Sequence, residues 1–150
     1  MWETVSYPLT GDRWTPCVKD IDVIGFDLSG ATFKAEVRDT KDQSSGTARA
    51  TLNTVTSEIE GVRLLEVVTA DADDVTAYAA AGATIQVGDK ISMIRIRIVE
   101  ATMEAMDVAN DAGQLGSNGA AYWDMHITPS GGDKFVAFAG SFTIAAGVTQ

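Results

Sequence analysis

The chain has 150 residues, 45% of them apolar, and eleven Lys and Arg against twenty-one Asp and Glu give a formal charge of −10. That length suits a single domain, 1–150, able to bury roughly 70% of the surface its unfolded form exposes, and no apolar run approaches the roughly 18 residues of a membrane helix. The negative charge repels phosphate backbones and the basic residues do not cluster, so neither nucleic acid nor a membrane is an expected partner.

In chain order, residues 1–5 lack the basic start and apolar middle of a secretory signal, which predicts a cytoplasmic product. Residues 1–12 are expected as an N-terminal arm. Trp2, Tyr7 and Trp14 are either aromatic anchors for a partner or a lid on the domain. Cys17, the single cysteine, cannot form an internal disulfide and fits a small buried side chain. Residues 27–39 open with the turn Leu28-Ser29-Gly30-Ala31. Polar Thr32, Lys34, Glu36 and Arg38 then alternate with apolar Phe33, Ala35 and Val37, the period of a half-buried strand. A polar loop over 38–46 precedes a weaker strand, 47–55. Glu58 and Glu60 share one face of a possible strand and read as a solvated edge. Residues 62–68 are too densely apolar for clean alternation and predict a doubly buried or bulged strand.

Asp71, Asp73 and Asp74 invite a calcium reading, but an EF-hand count from Asp71 puts Val75, Thr76 and Gly82 where the loop needs an oxygen ligand, glycine and glutamate. They fit better as caps of a short helix over 74–81, where free N–H groups favour negative charge. Gly82, Gly88 and Lys90 are spaced unlike a phosphate loop. In 92–98, Ile94, Ile96 and Ile98 share one strand face and Met93, Arg95 and Arg97 the other. Two guanidinium groups side by side either pair with acidic residues on an adjacent strand or dock an acidic partner. A second short helix is expected over 101–109. The loop 110–119 follows, with Asn110, Gln114 and Asn118 as candidate partner contacts. A strand at 121–127, a turn at 129–133, and a returning strand at 134–138 and 142–144 with a bulge or kink at Gly140 read as a closing hairpin.

About seven short strands and one or two short helices predict an all-β fold, a single antiparallel β-sandwich, with a closed barrel as the competing geometry. The expected inner set is Phe33, Val37, Leu52, Leu64, Ile94, Ile96, Ile98, Trp123, Met125, Ile127 and Phe142. Catalytic chemistry is thinly represented. His126 has Asp124 on its own face, the start of a nucleophilic triad, but no Gly-x-Ser-x-Gly turn accompanies it. One histidine and one cysteine do not make the usual zinc site. No catalytic residue, cofactor or metal ligand is expected.

The segment Asp27-Leu28-Ser29-Gly30-Ala31-Thr32-Phe33-Lys34-Ala35-Glu36-Val37-Arg38 resembles the D-L-[ST]-G-A-T-[FV] signature of small immunoglobulin-like β-sandwich domains in tailed-bacteriophage tail proteins. These include the N-terminal domain of baseplate upper proteins and tail-fibre adaptors. SMIRIRIVEATMEAM (92–106) and YWDMHITPSGGDKFVAFAGSFTI (122–144) look like the strand, short helix and closing hairpin of those domains, and the likeness extends over 13–150. The resemblance implies an antiparallel immunoglobulin-like sandwich and a non-enzymatic virion protein, made in the bacterial cytoplasm. Its partners would be other virion structural proteins, met in several symmetric copies. Such domains usually continue into a distal region, whereas this chain ends at Gln150, which under the resemblance implies a free-standing adaptor or decoration module. Three alternatives remain: a head decoration protein, a carbohydrate-binding module stacking sugars on Trp2, Trp14, Tyr122 or Trp123, and a small hydrolase using His126, Asp124 and a serine.

Overall fold

The structure, a computed structural model, describes residues 3–38, 48–106 and 119–145. Trp2, Asn110, Gln114 and Asn118, and nearly all of the expected loops 38–46 and 110–119, lie outside the described residues. The elements are β1 (Val5–Ser6), β2 (Leu9–Asp12), β3 (Cys17–Ile24), β4 (Thr32–Arg38), β5 (Ala48–Asn53), β6 (Gly61–Thr69), α1 (Ala72–Ala80), β7 (Lys90–Ile98), α2 (Glu100–Ala105), β8 (Gly119–Thr128) and β9 (Phe135–Ala145). The larger sheet runs β1-β9-β8-β4-β5, with β2 also on β9, and the smaller runs β3-β7-β6.

Period-two alternation decides which residues face inward. Phe33, Leu52, Met125, Phe142 and Ile144 from the larger sheet meet Ile21, Val62, Ile94, Ile96 and Ile98 from the smaller in one apolar core. Each such side chain contributes about 1.5–3 kcal/mol on burial. The expected inner residues are all buried except Leu64, which is half-buried against the core. The chain is thus mostly β, in two packed sheets with two short helices.

Several elements depart from the sequence pattern. The segment expected as an N-terminal arm pairs with β9 over Val5–Ser6 and Leu9–Asp12, and it does so in parallel, so the sandwich is not wholly antiparallel. Gly140 is not a bulge, since it pairs in register with Trp123. It lies within the continuous strand β9, and a Cβ there would stand 2.7 Å from Tyr7 O and 3.0 Å from Tyr7 C, so glycine is what lets the N-terminal segment lie close. Trp123 Nε1 donates to Tyr7 O at 2.7 Å, and the Tyr7 ring packs edge-on against Trp123 and Phe138, which makes Tyr7 a lid residue. The bulge in β9 falls at Ala137, between the pairs Met125–Phe138 and His126–Val136. In β6 the extra residue is Leu65, which explains the dense apolar run without double burial.

Strand β3 is absent from the sequence expectation because three residues break its alternation. Val18 and Ile24 fall on the outward phase, and Lys19, paired with Ile96 on the phase of Cys17 and Ile21, falls on the inward one. Helix α1 starts two residues before the expected 74–81, with Asp71 as N-cap: Asp71 Oδ1 accepts from Asp74 N at 2.9 Å and Asp74 Oδ2 accepts from Asp71 N at 3.0 Å. This reciprocal box satisfies two helix-end donors. The helix lies over one end of the smaller sheet's outer face, where Val75 and Tyr78 pack on Ala70, Ile85 and Ile91. Helix α2 is shorter than 101–109 within the described residues. Arg13 Nη1 donates to its terminal carbonyls, Glu104 O at 3.3 Å and Met106 O at 3.5 Å.

The two sheets are tied at the crossing from β3 to β4. Ser92, on β7, is the one buried polar residue among the described residues. Its Oγ accepts from Leu28 N at 3.0 Å and donates to Phe26 O at 2.7 Å. Leu28 and Ala31 on that crossing are buried, Ala31 N donates to Leu28 O at 3.0 Å, Asp27 Oδ1 accepts from Ser29 N at 2.9 Å, and Gly30 takes φ 72°.

Ser92→Ala leaves a buried N–H and C=O unpaired and is expected to lower stability by about 1–3 kcal/mol in urea unfolding, because stranded polar groups keep their full desolvation cost. Gly140→Ala is expected to cost roughly 1–3 kcal/mol through overpacking. Hydrogen exchange should show the loss of protection concentrated in the amides of Leu9 to Asp12 rather than spread through the smaller sheet.

Candidate functional site

Two polar surfaces are built on the outward phases of the sheets. On the smaller sheet, the half left open by α1 carries a row Asp20–Arg95–Arg63 across β3, β7 and β6, and beside it a row Val18–Arg97–Gly61. Arg63 and Arg95 thus face each other directly across two strands, a like-charge pairing that is unfavourable unless an anion intervenes. Two carboxylates do so. Asp20 grips Arg95 with both oxygens, Nε to Oδ1 at 2.7 Å and Nη2 to Oδ2 at 2.9 Å. Glu58, from the connection between β5 and β6, reaches all three arginines: Oε1 accepts from Arg63 Nη1 and from Arg95 Nη1 at 3.0 Å, and Oε2 from Arg97 Nη2 at 3.3 Å.

Gly61 places that connection. Its φ is +149°, and a Cβ there would stand 2.5 Å from Asn53 O and 2.6 Å from Val55 Cγ1, so a side chain would push residues 54–60 off the sheet. The ends of the connection are pinned by Val55 N donating to Val62 O at 3.0 Å and by Glu60 Oε2 accepting from Val99 N at 2.9 Å. Glu58 and Glu60 therefore lie in a turn folded over the sheet and not on a solvated strand edge.

The charges answer one another. The Arg95 hydrogen bond holds the Asp20 carboxyl below its usual range against the opposing effect of burial. For Glu58, desolvation works upward, and Arg95 and Arg63 override it to give a net lowering. Arg95 itself is raised, chiefly by its hydrogen bond to Asp20. Arg97 is less well served: its Nε is buried and without a hydrogen-bond partner. At the far end of the face Tyr78 Oη donates to Asp22 Oδ2 at 2.6 Å, and burial together with that bond pushes the phenol up to about 12.

The second surface lies on the larger sheet, where Thr32, Lys34, Glu36, Arg38, Asp124, His126, Thr128 and Lys134 line an open cavity of about 240 Å³. Glu36 and Asp124 face each other across β4 and β8. Lys34 and Arg38 hold Glu36 between them, and their pull outweighs burial to lower its pKa. Burial raises the Asp124 carboxyl, against the opposing pull of His126, and Glu36 adds to the rise. His126 Nε2 stands 3.6 Å from Asp124 Oδ2. The expected histidine–aspartate pair is thus present, but threonines, not serines, are the hydroxyl residues lining its cavity. Among the described residues no group of His, Cys, Asp and Glu could hold a metal ion.

Of the expected partner residues, Arg95 and Arg97 share one face and are engaged internally. Trp14 is half-buried at the turn after β2, with its N–H donating to Asp12 Oδ1 at 3.0 Å. Trp123, a possible sugar platform, is in the core. Sequence reasoning missed Asp20, Glu58 and Arg63. The signal for Arg63 was its outward phase before the bulge, and Asp20 was hidden with β3.

Depressed carboxyl pKa values make their contribution to stability above the unfolded values near 4, and that contribution is lost as pH falls through the lower folded values. The midpoint of thermal unfolding is therefore expected to fall as pH drops below about 4, and only modestly, because the pairs are exposed. The combined variant Asp20→Asn, Glu58→Gln should show a shallower fall over that window, and an unchanged slope would contradict the pairing. In comparisons with protein-family models, curated proteins and solved structures, the chain finds no significant match.

Proposed function

We propose that the protein is a non-enzymatic structural component of a tailed-bacteriophage virion, an immunoglobulin-like sandwich of the tail, baseplate or fibre-attachment region that works through protein–protein interfaces. The observation that supports this reading is where the three resembling segments fall. Residues 27–38 make the crossing turn and β4, 92–106 make most of β7 and all of α2, and 122–144 make most of β8 and nearly all of β9. Strands β4, β8 and β9 are neighbours in one sheet and β7 is the centre of the other, so the likeness covers a contiguous frame. The signature residues also have physical work: Asp27 and Gly30 shape the turn, Leu28 is buried, and Ser92 at the head of the second segment fixes it. A resemblance carried by a turn and its buried anchor is more specific than one carried by alternation alone.

In this reading the core only holds the shape, and the outer faces meet neighbouring subunits. Contacts repeated by symmetry supply avidity that a single weak contact lacks. The isolated chain is expected to be monomeric or weakly associated.

Particles purified from a host carrying the gene should contain this chain in a fixed ratio to the major tail proteins, and it should remain with tails when heads and tails are separated. Recovery with heads alone would replace the tail assignment by head decoration. Particles that are complete and infective without the chain would end the structural reading.

A further inference from the structure

Three guanidinium groups converge on one carboxylate position, and the carboxylate there is the chain's own. Arg63, Arg95 and Arg97 each touch Glu58, while Asp20 engages only Arg95. Three positive charges thus stand against two negative ones on a protein whose formal charge is −10. Donor capacity points the same way. Each arginine carries five N–H donors, and Arg97 has a single long bond to Glu58 and an Nε with no acceptor. Without Glu58, Arg63 and Arg95 would face each other directly with one carboxylate between three cations. The position requires an anion, but nothing in the sheet itself requires that the anion be Glu58.

Glu58 is also the member of the cluster that can leave. The arginines and Asp20 project from paired strands, whereas Glu58 sits in the connection 54–60, which is held at its ends and is not itself strand at Glu58. Beside it are two exposed apolar side chains: Ile59, next in the chain and 56% exposed, and Val18, opposite Arg97 on β3 and 37% exposed. Arginine is enriched at protein interfaces, and the two exposed apolar side chains beside the cluster offer area that a protein segment, unlike a bare ion, could bury.

We propose that Glu58 is an internal stand-in for a partner's carboxylate, and that the Arg63–Arg95–Arg97 cluster is a docking site for an acidic protein segment that displaces it. The flanking Ile59 and Val18 would meet apolar residues of that segment. Self-occupancy sets the affinity: a site filled by its own Glu58 for all but a fraction of the time binds an outside carboxylate weaker by that fraction. It also sets selectivity, since a segment must offer more than a single charge to displace a tethered one. This docking site concerns the chemistry of one face in solution and stands whether or not the virion reading does.

The test uses the full chain and a fluorescein-labelled peptide of glutamate and leucine residues, with its glutamine counterpart as control, in anisotropy titrations at low ionic strength. Wild type is expected to bind the acidic peptide weakly. Glu58→Gln should bind it at least about tenfold more tightly, the gain that follows if Glu58 fills the site nine-tenths of the time. Adding Arg97→Gln or Arg63→Gln to Glu58→Gln should abolish that gain, and the glutamine peptide should bind no variant. An unchanged affinity in Glu58→Gln, or a gain that survives both arginine substitutions, overturns the proposal. Should Glu58→Gln melt early, Glu58→Asp, which keeps the charge but shortens its reach, provides the second arm: it too must bind the peptide more tightly than wild type, and failure to do so overturns the proposal equally.

Discussion

A buried hydroxyl has no water to turn to, and the sandwich is organised around the one that Ser92 carries. It sits near the start of the central strand of the smaller sheet and satisfies the backbone of the chain just where that chain leaves for the larger sheet. The crossing can be short and buried only because its polar groups have partners. Once Phe26 and Leu28 are fixed, Ala31 and Phe33 enter the core in phase, and the register of β4 against both β5 and β8 follows. A one-residue slip there would turn Phe33, Ala35 and Val37 to solvent.

The apolar interior treats both sheets alike, but their outer faces solve the charge problem differently. On the larger sheet the opposite charges sit close along the strands, as in Lys34, Glu36 and Arg38, so the face largely neutralises itself. On the smaller sheet the arginines crowd β6 and β7, and their compensation has to come from the edge strand and from a connection folded back over it. Ion pairs this exposed are each worth about 0–1 kcal/mol. Their arrangement therefore contributes little to holding the fold and more to what the face can recognise.

How much of this was legible depended on whether the information was local. Strands β4, β7 and β8 obey period two almost without exception, and their positions and inward sets could be read directly. The same is true of the acidic cap at α1, which needs only neighbours in sequence. Strand β3 was not legible, because a lysine on its inward phase and apolar residues on its outward phase cancel the pattern. Gly140 was visible as an anomaly but not as a notch, since its reason is the Tyr7 backbone more than a hundred positions away. Arg95 and Arg97 were recognisable as a pair in want of carboxylates. That Glu58 would be one of them depended on Gly61, whose backbone angle folds the preceding turn onto the sheet.

Lys19 has a consequence beyond its own strand. The smaller sheet ends in β3 and β6, and a bare strand edge is a template on which another chain can add a strand. A strand laid along β3 would extend the sandwich over Lys19 and trap an ammonium group against its apolar underside, at a desolvation cost that edge pairing does not repay. At the opposite edge the extra residue at Leu65 breaks the even spacing of free N–H and C=O groups that an incoming strand would need. The irregularities that obscured β3 and β6 in the sequence thus make both edges of the smaller sheet poor templates for an added strand.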